Sequence, residues 1–483
     1  MLLRLLRLGS RPMWYDEAFA VLASRVGLSG IIRGALSPSG GVSADVHPPL
    51  YFGALWAWMK IFGQSPFAVR LLNVFLSVLV MLVIWLLVKL LVGRKEAAVA
   101  VGLYAFSPFQ VHYAQEARMY AMMSLFLLLA TWAFWRVLKD GTAIYWIFLG
   151  ISTALAVYTQ VLAVVYLICL YSLVILLRRW DRLKEVIFAS LIALAIYTPW
   201  LLQLPTQFNK VQSSYWIQRP GIVELIQTII AFNSGLPLVG LWLQAGLTLS
   251  ILLLTLLIWR SLAYLKQHNA HSQQLTVILV LAFGPVAVLF LISQVWPVYI
   301  IRGLLTSGVC YLLWIAVLLS ADWIRGVDRG LILAVVVVLF GIGLLNHYQY
   351  QGFPYAPYET INAYISERIQ ADGVIVHSNK ITMVPAYYYD EDLPHSFIAD
   401  KPGSGSDTLA IPTQEVIGIK EKADIQSAVN NHKQIFFVIF SREIVDYEQA
   451  GVEMHPNLEY LNEHFKQKTV SSFGDVLVYE YQK

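Results

Sequence analysis

The sequence predicts a mainly α-helical bundle that spans a membrane many times and ends in a small α/β domain. Two observations predict the bundle. Hydrophobic residues make up 58% of the chain against 13% for charged residues, and apolar runs of spanning length recur between residues 67 and 346. A third observation predicts the domain, because the residues after 346 become more polar and alternate or cluster as strands do.

A membrane span needs about 20 apolar residues, and the sequence offers about ten such runs, so we expect a polytopic bundle of about 10–12 spans. The runs cover residues 67–92, 96–108, 114–137, 143–159, 160–178, 184–204, 238–260, 273–293, 303–321 and 328–346. A shorter, aromatic-rich run at 49–62 is typical of a helix that lies in the membrane interface.

The chain is therefore expected to divide into three parts. Residues 1–66 form an N-terminal outer segment, residues 67–346 the bundle, and residues 347–483 an outward-facing α/β domain. In the last part, ETINAYISERIQ has the pattern of an amphipathic helix, and GVIVHS, QIFFVIF and DVLVYEY have the pattern of strands.

Basic residues between the spans predict the orientation. They concentrate in alternate loops, which can all be cytoplasmic at once. These residues are Arg94, Lys95, Arg136, Lys139, Arg178, Arg179, Arg182, Lys184, Arg260, Lys266, Arg325 and Arg329. The N-terminal segment and the C-terminal domain then face outward, as expected for an integral protein of the plasma membrane. The arginines of the N-terminal segment run against this rule, which is acceptable if they bind an anion.

Composition also narrows the function. The net charge of +4 is small and indicates no nucleic-acid partner. Cys169 and Cys310 lie inside apolar runs, which is typical of buried hydrophobic residues rather than of a disulfide or metal pair. No cleavable signal peptide is predicted, because Met1–Leu8 is short and contains two arginines.

Charged groups at the mouth of a membrane bundle are costly unless paired or solvated, so they are candidates for function. In MWYDEAFAVLASR, Asp16 and Glu17 stand in an aromatic setting, although acids can also simply cap a helix. In DVHPPLY, His47 precedes two prolines, and prolines by themselves commonly begin helices.

A second group of polar residues lies in FSPFQVHYAQEARMYA, between two predicted spans. Helical spacing would place Gln115 near Arg118 and Glu116 near Tyr120, facing a cavity. The plain alternative is a glutamate and an arginine that neutralise each other. The group contains His112, Tyr113, Gln115, Glu116, Arg118 and Tyr120.

Arg302, in VWPVYIIRGLL, begins a late span. An arginine there can snorkel to the membrane surface, or it can hold a phosphate through two parallel hydrogen bonds. The outer mouth is thus expected to gather the acids Asp16, Glu17 and Glu116 with Arg118 and Arg302. Such a set can accept a proton and hold an anion.

In the order WYDEA, HPPLY, SPFQVHYAQEARMYA, YTPWL and VYIIRGLL, the sequence resembles the integral-membrane glycosyltransferases of the GT-C superfamily. The resemblance covers nearly the whole chain and is to the dolichyl-phosphate-mannose-protein mannosyltransferase-like family (glycosyltransferase family 39), which includes relatives of the lipid A aminoarabinose transferases. It implies an inverting transfer of a sugar from a polyprenyl-phosphate-linked donor to a lipid, glycan or protein acceptor on the outer face of the membrane, among membrane lipids.

The resemblance also implies roles for the candidate residues. Asp16 is the expected catalytic base and Glu17 its support. The donor phosphate is expected to meet Arg118, Arg302, Glu116 and Tyr113, and the substrates to meet His47, His112 and Gln115. No cofactor is firmly implied. A divalent metal bridging acids and phosphate stays open, although the acids are few and form no compact ligand cluster in the sequence.

Two departures from the family pattern stand out. Relatives have a full span ahead of the acidic pair, whereas about a dozen residues precede it here, which leaves open a truncated start or a span fragment at Leu2–Leu8. The tyrosine that often follows the late arginine is also missing. A carrier or flippase for a lipid-linked saccharide is the alternative function, but the polar groups gather at one end and no halves repeat, which favours the enzyme.

Overall fold

The computed structural model describes residues 1–36, 48–203, 217–266, 272–321, 324–400 and 411–483. Within these ranges the predicted fold class is confirmed: a helical membrane bundle carries a small C-terminal α/β region. His47, one of the predicted substrate-binding residues, lies outside the described residues.

The N-terminal part and the bundle are helical. Their helices are α1 (Leu2–Leu5), α2 (Tyr15–Arg25), α3 (Gly27–Leu36), α4 (Leu50–Phe62), α5 (Pro66–Leu91), α6 (Arg94–Phe106), α7 (Pro108–Ala114), α8 (Tyr120–Asp140), α9 (Ala143–Thr159), α10 (Ala163–Leu176), α11 (Leu183–Leu201), α12 (Ile222–Ser234), α13 (Gly240–Lys266), α14 (Ser272–Ile292), α15 (Leu305–Ser320) and α16 (Gly326–Gln349). Short 3-10 turns precede α11 and α15, at Trp180–Arg182 and Ile301–Leu304.

Every apolar run predicted to span the membrane contains a helix. In the described part of the chain, 7 helices are long and apolar enough to cross a bilayer: α5, α8, α11 with its 3-10 turn, α13, α14, α15 with its 3-10 turn, and α16. The remaining three runs form α6, α9 and α10, which have 13, 17 and 14 residues and fall short of the usual spanning length. α15 is the centre of the bundle, because every one of its residues is buried.

The C-terminal domain is built on one twisted sheet. Its elements are α17 (Tyr358–Ser366), β1 (Gly373–His377), α18 (Lys380–Tyr389), β2 (His395–Ile398), α19 (Ile411–Ile417), β3 (Glu421–Lys422), α20 (Ile425–Val429), β4 (Gln434–Phe440), α21 (Ser441–Gln449), α22 (Pro456–His464), β5 (Lys466–Phe473) and β6 (Val476–Gln482). Among the described residues the strand order is β3-β2-β1-β4-β6-β5, parallel from β3 to β4 and antiparallel from β4 to β5. The predicted helix and three strands are confirmed as α17, β1, β4 and β6.

The polar segment between α7 and α8 is a turn, not a helix. α7 ends at Ala114 and α8 begins at Tyr120, so the predicted helical pairing of Gln115 with Arg118 and of Glu116 with Tyr120 is wrong. The side chain of Asn73, on α5, holds the turn instead, because its amide donates to the carbonyl oxygens of Glu116 and Arg118. Asn73 is fully buried, which makes the turn part of the packed interior.

The N-terminal residues are tied into the bundle by a buried arginine. Arg4 is 0% exposed and donates to the Ser77 Oγ at 2.7 Å and to the carbonyl oxygens of Ala105 and Tyr104 at 2.8 and 2.9 Å. The guanidinium therefore satisfies the end of α6 rather than meeting water. This contact places the next residues, and with them α2, at the mouth of the bundle.

The C-terminal domain packs directly on α2. Met383 and Val384 of α18 belong to the same hydrophobic core as Met13 and Phe19. The backbone N–H of Met13 also donates to the hydroxyl of Tyr389 at 3.1 Å. An exposed ion pair, Arg25 with Glu391 at 2.7 Å, closes the rim of this contact. The core of the domain is thus continuous with that of the bundle at the helix that bears the acidic pair.

We expect Met383→Ala to lower the free energy of unfolding by about 2–5 kcal/mol, because it opens a cavity in that shared core. Met383 is 1% exposed, whereas Met454 of the same domain is 44% exposed and serves as the matched control. Thermal unfolding of the purified protein in detergent measures both variants. Equal melting temperatures for the two variants would contradict the packing described for α18.

Candidate active site

The acidic pair lies in the first turn of α2. The residue before the helix, Trp14, is extended and makes no side-chain cap, so Asp16 and Glu17 stand close to the free N–H groups and the positive end of the helix dipole. Successive helical residues are about 100° apart, so the two carboxylates face different surroundings. Glu17 points into the protein and is 1% exposed, whereas the side chain of Asp16 is 13% exposed.

Glu17 is held by Arg70 of α5 in a two-pronged ion pair. Arg70 donates from Nε to Oε1 at 2.8 Å and from Nη2 to Oε2 at 2.6 Å, and both side chains are 1% exposed. The backbone N–H of Ala117 donates to the same Oε1 at 2.9 Å. The carboxylate therefore joins α2 to α5 and to the turn before α8.

The rest of the Arg70 guanidinium binds the N-terminal segment. Its remaining N–H groups donate to the carbonyl oxygens of Leu8, Arg11 and Pro12 at 2.9, 2.7 and 3.0 Å. All five donors of the guanidinium are thus used, which is what a buried arginine requires. Glu17 and Arg70 together connect the segments around Asp16, and the supporting role of Glu17 in catalysis stays a prediction.

Asp16 lies between two arginines. Arg302, in the 3-10 turn before α15, donates from Nη1 to Oδ2 of Asp16 at 2.6 Å. The Nε of Arg118 lies 3.8 Å from the same oxygen, and its Nη1 donates to the Asp16 backbone carbonyl at 3.1 Å. Arg118 is 2% exposed and Arg302 is 20% exposed, so Arg302 is the more accessible cation. The structure therefore brings together residues predicted from three distant segments.

Aromatic rings line the same place. The guanidinium of Arg302 lies over the rings of Trp14 and Tyr120, at 5.8 and 5.5 Å from their centroids. Tyr113 packs edge-on against Tyr120, with 5.5 Å between the centroids. These rings restrict the arginine side chain, so less conformational freedom is lost when it binds an anion.

Glu116 differs from the other acids of the site. It is 3% exposed, and neither of its carboxylate oxygens has a hydrogen-bond partner among the described residues. Burial raises the pKa of Glu116 to about 8; the nearby carboxylates of Glu17 and Asp16 raise it further, and Arg302 and Arg118 only partly offset this. Glu116 is therefore mainly protonated near neutral pH.

His112 and Gln115 lie behind Glu116, in a small network. The Nε2 of His112 is 3.7 Å from Oε2 of Glu116, and its Nδ1 is 3.3 Å from Nδ1 of His347 on α16. The Nε2 of His347 is 2.7 Å from Oε1 of Gln115. The amide nitrogen of Gln115 donates to the carbonyl oxygens of Leu3, Arg4 and Leu6 at 3.1, 3.1 and 2.8 Å. Both ends of the Gln115 amide are thus bound by protein groups.

Sequence reasoning missed three residues that build the site: Arg70, Asn73 and His347. The sequence does contain a signal for Arg70 and Asn73. They are a charged and an amide side chain three positions apart in an apolar run, and such residues are functional candidates by default. His347 carried no comparable signal, since it lies at the end of a long apolar helix. In the described residues, no group of three or more His, Cys, Asp or Glu side chains is arranged to hold a metal.

The bundle, the acidic helix at its mouth and the C-terminal domain together resemble known membrane glycosyltransferases, as three comparisons indicate. A family model described as dolichyl-phosphate-mannose-protein mannosyltransferase matches residues 46–202. Over 243 residues the chain is 23% identical to YkcB of Bacillus subtilis (strain 168), a protein named as a candidate mannosyltransferase; the match covers 46% of this chain and 33% of YkcB. The aligned part is thus about a third of that relative.

Solved structures give the same fold over nearly the whole chain. ArnT from Cupriavidus metallidurans, in the apo state and bound to undecaprenyl phosphate, matches with a TM-score of 0.64 at 10% identity and covers 99% of this chain and 96% of ArnT. The oligosaccharyltransferase AglB from Archaeoglobus fulgidus, with an inhibitory peptide and a dolichol-phosphate, matches with a TM-score of 0.51 at 10% identity, covering 97% and 70% of the two chains. The resemblance to GT-C glycosyltransferases is therefore confirmed.

We expect Arg70→Ala to destabilise the protein by about 3–5 kcal/mol, because it leaves the Glu17 carboxylate buried without its partner. The double variant Glu17→Leu with Arg70→Leu removes both charges and is expected to recover much of that loss. Unfolding in detergent measures the series, with the exposed Arg368→Ala as control. An Arg70→Ala protein as stable as the control would show that the pair does not hold the site.

Proposed function

We propose that the protein is an inverting glycosyltransferase that moves a sugar from a polyprenyl-phosphate-linked donor to an acceptor hydroxyl or amine at the outer face of the membrane. The observation that carries the proposal is the position of Asp16: a partly exposed carboxylate stands beside two arginines at one mouth of a GT-C bundle. The undecaprenyl phosphate and dolichol-phosphate bound in the ArnT and AglB structures support a lipid-phosphate donor.

Asp16 is the proposed general base. An acceptor hydroxyl is a weak nucleophile near neutral pH, so a carboxylate within hydrogen-bond reach takes its proton while the oxygen attacks the anomeric carbon. The hydrogen bond from Arg302 holds the carboxylate of Asp16 at its Oδ2.

The arginines are proposed to hold the donor phosphate. As the bond from the anomeric carbon to the phosphate oxygen breaks, negative charge grows on the leaving group and needs donors that are already in place. Arg302 is exposed enough to reach it, and its charge never titrates. Arg118, which is less exposed, adds positive charge from deeper in the site, and Tyr113 packs against Tyr120 in the aromatic lining.

The basic loops support the side of the membrane on which we propose that the active site lies. They lie at the end of the bundle opposite the site, where Arg260 pairs with Asp328 and Arg136 with Asp140 at 3.0 Å. Arginine- and lysine-rich loops stay on the cytoplasmic side. This supports the proposal that Asp16, the turn at residues 115–119 and the C-terminal domain face the extracytoplasmic side.

Comparison of the glycolipids and glycoproteins of cells with and without the protein, by mass spectrometry, tests the proposed function. The expected result is one glycan modification that disappears with the protein and returns when it is expressed again. Unchanged glycans together with altered transport of a lipid-linked saccharide would contradict the transferase and favour a carrier.

We expect Asp16→Asn to abolish sugar transfer, because the amide keeps the shape of the side chain but cannot accept the proton. Folding and donor binding are expected to stay near the wild-type level. The measurement is the transfer rate of purified protein with the donor sugar found in cells, with melting temperature alongside. Near-wild-type turnover in this variant would remove Asp16 as the base.

We expect Arg118→Ala and Arg302→Ala each to weaken the binding of undecaprenyl phosphate by about 10- to 100-fold, because each loses a charge-assisted contact to the phosphate. Binding to purified protein in detergent measures the effect. Arg325→Ala, an exposed arginine at the opposite end of the bundle, is the matched control. Unchanged affinity in either site variant would remove that arginine from the donor site.

A further inference from the structure

The carboxyl group of Glu116 is the feature of the site that the proposed mechanism leaves unexplained. A buried carboxylate without hydrogen bonds is costly, and native proteins avoid it. Yet neither oxygen of Glu116 has such a bond among the described residues, although Arg118 is two positions away. An ionised Glu116 would also repel the donor phosphate that the neighbouring arginines attract.

The network behind Glu116 indicates which group carries a proton. The amide nitrogen of Gln115 donates to backbone carbonyls, so its Oε1 is an acceptor and the Nε2 of His347 must donate to it. The Nδ1 of a neutral His347 is then an acceptor, and the Nδ1 of His112 donates to it. Consequently, a neutral His112 presents a bare Nε2 to Glu116, 3.7 Å from Oε2.

A bare imidazole nitrogen is an acceptor, so a protonated Glu116 would turn a donor toward it across the 3.7 Å gap, whereas an ionised Glu116 would set two acceptors against each other. Burial keeps the pKa of His112 well below its usual value, so the contact is not an ion pair. The titratable and charged groups around Glu116 come from several elements. They are Asp16 and Glu17 on α2, Tyr51 on α4, His112 and Tyr113 on α7, Arg118 in the turn, Tyr120 on α8, Arg302 before α15, and Tyr355. The carboxylates of Glu17 and Asp16 disfavour a further negative charge on Glu116.

We propose that Glu116 is a second catalytic residue, which carries a proton in the resting enzyme and donates it to the leaving phosphate oxygen. This inference rests on the proposed function and assigns opposite roles to two neighbouring carboxyl groups. Asp16, which contacts two arginines, accepts a proton, while Glu116, which has no hydrogen-bonded cation among the described residues, gives one. Environments that separate two titratable groups in this way are how enzymes assign an acid and a base.

The proton balance of the step is complete. The acceptor oxygen forms a bond to the anomeric carbon, and the bond from that carbon to the phosphate oxygen breaks with its electron pair going to the phosphate. The acceptor proton moves to Asp16, and the Glu116 proton moves to the phosphate, which leaves as a singly charged monoester. Exchange with water then removes the proton from Asp16 and restores the one on Glu116, whose Oε2 lies 3.7 Å from Nε2 of His112.

The pH dependence of turnover tests the proposal. The active form is the protonated one, so activity is expected to fall as the pH rises through about 8, the pKa that burial gives Glu116. In Glu116→Gln this alkaline limb is expected to disappear and kcat to fall about 100-fold, the low end of general acid catalysis, while the affinity for undecaprenyl phosphate stays within about threefold. Wild-type kcat in this variant, or a wild-type rate that climbs through the same pH range, would overturn the proposal.

An infrared titration without substrate separates this proposal from the proposed function. A protonated buried carboxyl gives a C=O stretching band that vanishes on ionisation. The band is expected in the wild-type protein at neutral pH, to vanish with a midpoint near 8, and to be absent from Glu116→Gln. Glu185→Gln, a partly buried glutamate paired with Arg182 and remote from the site, is the control that keeps the band. If the wild-type protein shows the band but transfers no sugar, only the proposed transferase function is contradicted. If the wild-type protein shows no band, the role of Glu116 is contradicted.

Discussion

The buried ion pair of Glu17 and Arg70 is the interaction on which the geometry of the site depends. It joins four segments: α2, α5, residues 8–12, and the turn before α8. Asp16 directly precedes Glu17, and Arg118 directly follows Ala117, whose N–H binds the same carboxylate. Fixing Glu17 therefore also fixes the distance between Asp16, the proposed base, and Arg118.

Such a pair is an expensive way to obtain stability. Removing two charges from water costs more than their attraction usually returns, so an apolar replacement would often be as stable. The pair is useful because it is directional: five donors and two acceptors define the position of every segment that they touch. The rigid support lets Asp16, one residue away, remain partly exposed without losing its orientation, as a catalytic group requires.

The overall fold could be predicted because it depends on patterns that are visible in the sequence. These are apolar runs for the helices, and alternating or clustered apolar residues for β1, β4 and β6. The roles of individual residues were harder. Asp16 and Arg302 are 286 positions apart, and their contact at 2.6 Å was expected only from the shared side of the membrane. Gln115 and Glu116 look alike in the sequence, yet one binds backbone carbonyls and the other has no hydrogen bond within the described residues. That difference arises from a turn whose shape Asn73 sets, and helical spacing could not show it.

Three arginines of the N-terminal part, Arg4, Arg11 and Arg70, run against the orientation expected from the other loops and are explained by where they lie. Arg4 and Arg70 are 0% and 1% exposed and use their donors on protein groups, and Arg11 lies 3.9 Å above the ring of Tyr355. The rule that keeps positive loops in the cytoplasm concerns charges that meet the membrane surface and its potential. Arginines that are buried and hydrogen-bonded inside the fold do not meet that surface, so they do not contribute to the orientation. Arg70, which weakens the orientation signal in the sequence, is thus also the residue that holds the helix of the proposed base in place.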